Sequence, residues 1–181
     1  PPEGFIGTAN NRTVAKDHPY TLSSSWYWPE RAERIAQMAS ATTDHTAKTC
    51  MDMQLDTHSL FVTKLKTVLL SGGLAGEISR EINSWKDPGK RRKALLALDM
   101  LRNFDGDMQT GSNGAALVGV LLDCATRNIF LDELGPEDSR SWKSFLVMNN
   151  ESYNATCDHL LIRGDESPFW DDVKTGLKET K

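Results

Sequence analysis

The sequence predicts a mainly α chain, a multi-helix block preceded by an irregular arm. Three observations carry that expectation. From residue 29 onward apolar residues recur every three or four positions, the period of a helix with one buried face. Gly, Pro and Ser punctuate these stretches where helices would stop. Residues 1–28 lack the period and are rich in Gly, Pro, Asn, Thr and Ser, with Phe5-Ile6 as their one strand-like patch. The chain thus divides into a strand-and-loop arm over 1–28, carrying an Asn10-Asn11 pair, and a helical segment over 29–181.

The first helix is expected over 29–39. Pro29 suits a first turn, where its missing N–H is no loss, and Glu30 complements the positive end of the helix dipole. Ile35 and Met38 give it an apolar edge. One long helix is expected over 43–70, beginning with a cap-like Thr-Thr-Asp and running through Met51, Leu55, Val62, Leu65, Val68 and Leu69. Ser71-Gly72-Gly73 marks its end. A further helix over 76–85 stops at Asp87-Pro88-Gly89, and the next, over 90–103, puts Leu95, Leu98 and Leu101 on one face. A polar loop over 103–114 leads into the most apolar helix, 115–134, closed by Gly135-Pro136. Two or three shorter helices are expected in 139–163, and a last one from Ser167-Pro168.

Composition narrows the function classes. The chain has 181 residues, enough for one domain with a hydrophobic core. With 21 Lys and Arg against 25 Asp and Glu, the formal charge is −4, which supplies no overall attraction for nucleic acid or an anionic membrane. No stretch is expected to reach the apolar length that spans a bilayer, and residues 1–4 do not open a signal peptide. Cys50, Cys124 and Cys157 make no CxxC pair and no zinc spacing with the four histidines. Cys124, in an apolar run, is expected to be a buried thiol. A Cys50–Cys157 disulfide stays open.

Most local motifs fail their chemical tests. Asp105-Gly106-Asp107 begins like a calcium loop, but Thr110 stands where Gly is needed and Ala116 where Glu is needed. The glycine-rich stretch 71–76 lacks the Gly-Lys-Ser/Thr ending of a phosphate loop. His45 and His58 lack partners at ligand spacing and are expected on the surface. The basic run Lys90-Arg91-Arg92-Lys93 reads as a solvated helix start. Asn11, Asn150 and Asn154 begin Asn-x-Ser/Thr sequons, which matter only in a eukaryotic secretory pathway. Trp26 and Trp28, beside Tyr27, either line a pocket or stand exposed.

A thirty-residue structureless arm is unusual in a compact domain and directs attention to its order of residues. Gly4-Phe5-Ile6-Gly7-Thr8-Ala9-Asn10-Asn11-Arg12 is followed by Asp17-His18-Pro19-Tyr20, then by Pro29-Glu30-Arg31-Ala32-Glu33-Arg34-Ile35. This order resembles the penicillin acylase family of N-terminal-nucleophile hydrolases, which includes cephalosporin acylases and acyl-homoserine-lactone acylases. Gln54, Asp56 and Ser59 look like its Gln-x-Asp-x-x-Ser helix. Residues 101–106 look like its Leu-x-x-Trp-Asp-Gly turn, with Phe104 for Trp, and 167–172 also resemble a family segment. His18 stands where Tyr is common.

The resemblance implies a mainly α piece of a larger αββα hydrolase. In such enzymes the first residue of the second chain attacks an amide, with its own α-amino group as base. It makes Asn10 the oxyanion-hole donor and Asn11 a turn residue, since Asn tolerates left-handed backbone. It makes Arg31 an arginine near the active site that orients the constellation or meets a substrate anion. Pro1 has neither hydroxyl nor thiol, so the expectation is an internal fragment without its nucleophile, inactive alone. No cofactor is expected; calcium, bound by some family members, has no acid to meet at Tyr20-Thr21-Leu22. The implied partners are the remainder of the precursor and a small-molecule amide. Neither nucleic acid nor membrane is expected, the parent is placed in the periplasm or outside the cell, and the fragment is expected to self-associate. The alternative is a free-standing helical interaction module.

Overall fold

A computed structural model of the chain describes residues 4–14, 17–23 and 27–149. Trp26, Asn150, Asn154, Cys157, the helices expected beyond 149 and the 167–172 segment lie outside the described residues. Within them the chain is helical: α1 (Glu30–Ser40), α2 (Ala47–Gln54), α3 (Leu60–Leu70), α4 (Gly72–Ser84), α5 (Pro88–Asn103), α6 (Asn113–Leu134) and α7 (Arg140–Asn149). No strand occurs among the described residues. The arm's sheet-like pairing is one parallel bridge, Asn11 to Tyr27, so Phe5-Ile6 is not the strand its composition implied.

Side-chain caps set most helix starts. Thr46 and Thr49 form a reciprocal capping box at α2, two residues beyond the Thr-Thr-Asp run that looked like the start. Ser59, Asp87 and Ser112 accept from the exposed N–H groups of α3, α5 and α6, and Pro88 occupies the first turn of α5. Ser139 closes one helix and opens the next: its hydroxyl donates to the Leu134 carbonyl and accepts from Trp142 N–H. Pro29 sits at the N-cap of α1 with helical backbone angles.

Three expectations about helices are corrected. The stretch 43–70 is two helices, because Ser59 caps a new one and the backbone at 57–59 pairs elsewhere; of the Gln-x-Asp-x-x-Ser stretch Gln54 ends α2 and the rest is a linker, not a helix. Ser71 both ends α3 and begins α4, so Gly72 and Gly73 belong to the next helix. On α5 the buried pair is Leu98 and Leu101, while Leu95 is 41% exposed, since the face turned inward runs through Ala94 and Ala97.

The main core joins Phe61, Val62 and Leu65 of α3 to Leu101 and Phe104 at the end of α5 and to Val118 and Leu122 of α6. A second cluster packs Phe130 of α6 on Trp142 of α7, with Phe145 stacked 5.6 Å from Trp142. Each such side chain removed from water contributes about 1.5–3 kcal/mol. Helix α3 is the hub, in contact with α1, α4 and α5.

Helix α6 also corrects the expectation about membranes. It is 22 residues long with a mean hydropathy of 1.4 over its most apolar window, enough by length and composition to cross a bilayer. Its buried positions are Gly114, Val118, Leu122, Thr126 and Phe130, a stripe at four-residue intervals through which it packs on α5 and α7. Cys124 lies two positions from both Leu122 and Thr126, on the face opposite that stripe, and is exposed, as is Cys50, so the buried-thiol expectation fails.

Candidate active-site segment

The arm is anchored where it carries Asn10 and Asn11. Ala9 is buried, and Gly7 lies so close to α1 that an added Cβ would stand 3.1 Å from Ile35 Cγ2. The Asn11 side chain accepts from Ala9 N–H at 3.0 Å and donates to the Arg12 carbonyl at 3.1 Å, which makes it the turn residue, as expected. The left-handed backbone, however, belongs to Asn10, with φ at +62°. Its carbonyl accepts from Tyr27 N–H at 2.9 Å, tying the turn to the residues that lead into α1.

From the first turn of α1, Arg31 points back at this turn. Its Nη1 lies 3.4 Å from Asn10 Oδ1, at the long end of hydrogen bonding. A guanidinium only donates, so the atom it faces is the amide oxygen and the Asn10 Nδ2 is turned away. That NH₂ has no partner among the described residues, and Asn10 is exposed. The structure thus brings the two sequence-predicted site residues together across 21 positions.

Charge pairs hold α1 in place behind them. Arg34 grips Asp56 with two bonds, Nε to Oδ2 at 2.9 Å and Nη2 to Oδ1 at 2.6 Å. The bond from Arg34 holds the Asp56 carboxyl below its ordinary range, outweighing burial, while the same bond raises Arg34. Lys64 of α3 reaches Glu30 at 2.7 Å and Glu33 at 2.9 Å. Burial works against the Lys64 charge, but the two glutamates outweigh it and its pKa rises. Glu30, expected merely to complement the dipole, is buried and paired. None of Arg34, Asp56 or Lys64 was singled out as a site residue from sequence. The Arg-x-x-Arg spacing was visible, but a partner 22 residues away was not.

Between α1 and the α2–α3 linker lies a cleft of about 480 Å³. Trp28, Met38, Met53 and Phe61 supply apolar wall; Arg31 and Asp56 supply charge. Of the aromatic run, Trp28 lines this cleft half-buried and Tyr27 borders it while exposed; Trp26 lies outside the described residues. His58 lines the cleft too, half-buried, with its backbone bridged to Asp107.

The two downstream motifs meet each other here. Ser59 N–H donates to the Gly106 carbonyl at 2.9 Å, and Met108 N–H to the Thr57 carbonyl at 3.0 Å. Gly106 has φ at +91°, and a Cβ there would sit 2.8 Å from Thr63 Oγ1, so both backbone angle and space demand glycine. Asp107 accepts from Thr57 and Gln109, and Asp105 from Asp107 N–H, so these acids brace a turn. Among the described residues no three His, Cys, Asp or Glu side chains are grouped to hold a metal ion.

Comparison with known proteins adds the context of this geometry. Acyl-homoserine lactone acylase QuiP of Pseudomonas aeruginosa is 48% identical over 181 residues, all of this chain and 21% of that protein. QuiP of Pseudomonas fluorescens strain Pf-5 is 42% identical over the same 181 residues, 22% of its length. Penicillin acylase 2 proenzyme of Pseudomonas sp. strain SE83 is 33% identical over 127 residues, 70% of this chain and 15% of that protein. The chain thus spans about a fifth of the length of the QuiP relatives. No solved structure matches it. The model of the penicillin amidase family matches residues 1–181, and the chain belongs to that family.

Proposed function

We propose that this chain is a segment of an acylase that hydrolyses linear amides by N-terminal nucleophile attack, and that Asn10 is one of its two oxyanion donors. The nucleophile comes from another part of the αββα precursor, so this segment alone is inactive. The hydroxyl oxygen attacks the amide carbonyl carbon and its proton passes to the nucleophile's own α-amino group through a water. The carbonyl oxygen, now negative, is held by a backbone N–H and by Asn10 Nδ2. Collapse of the tetrahedral intermediate breaks the C–N bond, the amine leaves with the proton, and water then releases the acid.

The observation that supports this reading most is the Asn10 NH₂, without a partner among the described residues, behind which Arg31 holds the amide oxygen. A donor fixed before the charge develops costs no reorganisation during the reaction, and each is worth about 3–4 kcal/mol. Arg31 also polarises the amide, which strengthens the donor at its other end. Its second possible task, meeting a substrate anion, suits the same exposed guanidinium.

As to substrate, the two relatives' names point to acyl-homoserine lactones and penicillins. The higher identity over the whole chain favours an N-acyl-homoserine lactone. A periplasmic or secreted location fits the family and remains part of this proposal. Family membership over 1–181 favours this reading over a free-standing helical module. The test is Asn10→Ala in the full-length acylase. A fall in kcat of about 10²–10³-fold is expected, with KM little changed; near-normal turnover would refute the assignment.

A further inference from the structure

Arg31 and Arg34 stand three residues apart at the start of α1, a spacing that makes them neighbours on one helix face. Either guanidinium has the charge and the donors to serve the Asn10 amide oxygen, and two of them side by side repel. The structure separates their tasks. Arg34 spends Nε and Nη2 on the two oxygens of Asp56 and Nη1 on Gln37 Oε1 at 3.3 Å. Arg31 is left to face Asn10.

Asp56 is well placed to impose this division. It lies in the α2–α3 linker, and the adjoining residues are tied to the loop after α5 by the Thr57–Met108 and Ser59–Gly106 backbone bonds. Its carboxylate therefore belongs to a frame that does not depend on α1. A two-bond carboxylate–guanidinium contact resists rotation as well as separation. Through Arg34 this grip opposes rotation of α1 about its axis. Lys64 constrains the same helix from α3, through Glu30 and Glu33. The side-chain exposures of 29% for Arg34 and 19% for Asp56 keep the contact largely out of bulk water.

We propose that Asp56 is a positioning residue for the oxyanion donor. By clamping Arg34 it sets the rotation of α1 at which Arg31, and not Arg34, meets the amide oxygen of Asn10, leaving the Asn10 NH₂ facing the reacting carbonyl. This rests on the reading of Asn10 given above. Asp56 touches no reacting atom; it acts through two arginines.

A double-mutant cycle in the full-length acylase separates positioning from mere bracing. The substrate is the amide turned over fastest among N-acyl-homoserine lactones and penicillins. In the wild-type background Asp56→Ala is expected to lower kcat about tenfold with KM within about twofold, because a misplaced donor costs rate more than binding. In the Asn10→Ala background the same replacement is expected to change kcat by less than about twofold, since no amide remains to be positioned. Asp56→Asn, which keeps the shape and one acceptor, is the second variant should Asp56→Ala fail to fold, and the same loss of effect in the Asn10→Ala background is expected of it. Equal losses in both backgrounds would overturn the inference, showing that Asp56 braces the fold without acting through Asn10. An unchanged kcat in the wild-type background would overturn it too. Near-normal turnover by Asn10→Ala alone would instead remove the oxyanion reading beneath it, a result distinct from either of these.

Discussion

Arg31 presents its guanidinium to the side-chain amide oxygen of Asn10 at 3.4 Å, joining the first turn of a helix to a left-handed turn in the arm. Both residues are exposed, so little packing holds the contact. It depends on where α1 is held and on the backbone bond from Tyr27 N–H to the Asn10 carbonyl. The first consequence concerns Arg31 itself. Arg31→Lys keeps the charge but loses the planar fork, and its shorter reach leaves the amide free to turn. In the full-length acylase kcat should fall about tenfold, and Arg31→Ala should fall further. A Lys variant as active as the wild type would mean that charge alone is what matters there.

Packing makes opposite demands on two glycines of α6. A Cβ at Gly114 would run into the Phe104 ring, whereas at Gly119 nothing lies within 4 Å. Gly114→Ala should therefore destabilise by about 1–3 kcal/mol through overpacking. Gly119→Ala should stabilise by about 0.5–1 kcal/mol, because alanine favours the helix. Denaturant titration of the two variants should give shifts of opposite sign.

Burial decides the weight of the leucines. Leu65, at 2% exposed, is in the main core, and Leu65→Ala should cost about 2–5 kcal/mol. Leu96, at 59% exposed, should tolerate Ala within about 0.5 kcal/mol. Comparable losses at the two positions, measured by the same titration, would contradict the placement of the core.

The Arg34–Asp56 pair makes stability depend on acid. The Asp56 carboxyl is held below its ordinary value, so it binds protons less readily folded than unfolded. Its stabilisation is fully present above the ordinary aspartate pKa of about 4 and is lost as pH falls through the lower, folded value. Asp56→Asn should thus melt below the wild type by a constant margin from about pH 7 to pH 4, and the margin should shrink in stronger acid. A margin that widened on acidification would have the wrong sign.

Leu96, Met100 and Val120 are exposed apolar side chains, and the chain spans about a fifth of the length of its QuiP relatives. The isolated chain should therefore associate as its concentration rises, which light scattering would register. A monomer of constant mass across the range would count against this.

The sequence alone determined the helices with strong local signals. Asp87-Pro88 begins α5 as a cap and a proline should, Gly135 ends α6, and the first thirty-five residues carried the family by their order. Those features are local: a cap, a breaker or a motif is read within a few residues. Tertiary structure decided the rest. The break at Leu55–Ser59 follows from backbone bonds to Gly106 and Met108, some fifty residues away, which compete with continuing the helix. The exposure of Leu95 and Cys124 depends on which side of a helix meets its neighbour, and one position along a helix turns a side chain by about 100°. Asn10 and Arg31 were singled out one by one through the resemblance, but their contact, and the Asp56 grip on Arg34 behind it, exist only because α1 packs against α3 and the linker. Long-range pairing of charges leaves no periodic trace in a sequence; the folded chain alone says which partner is near.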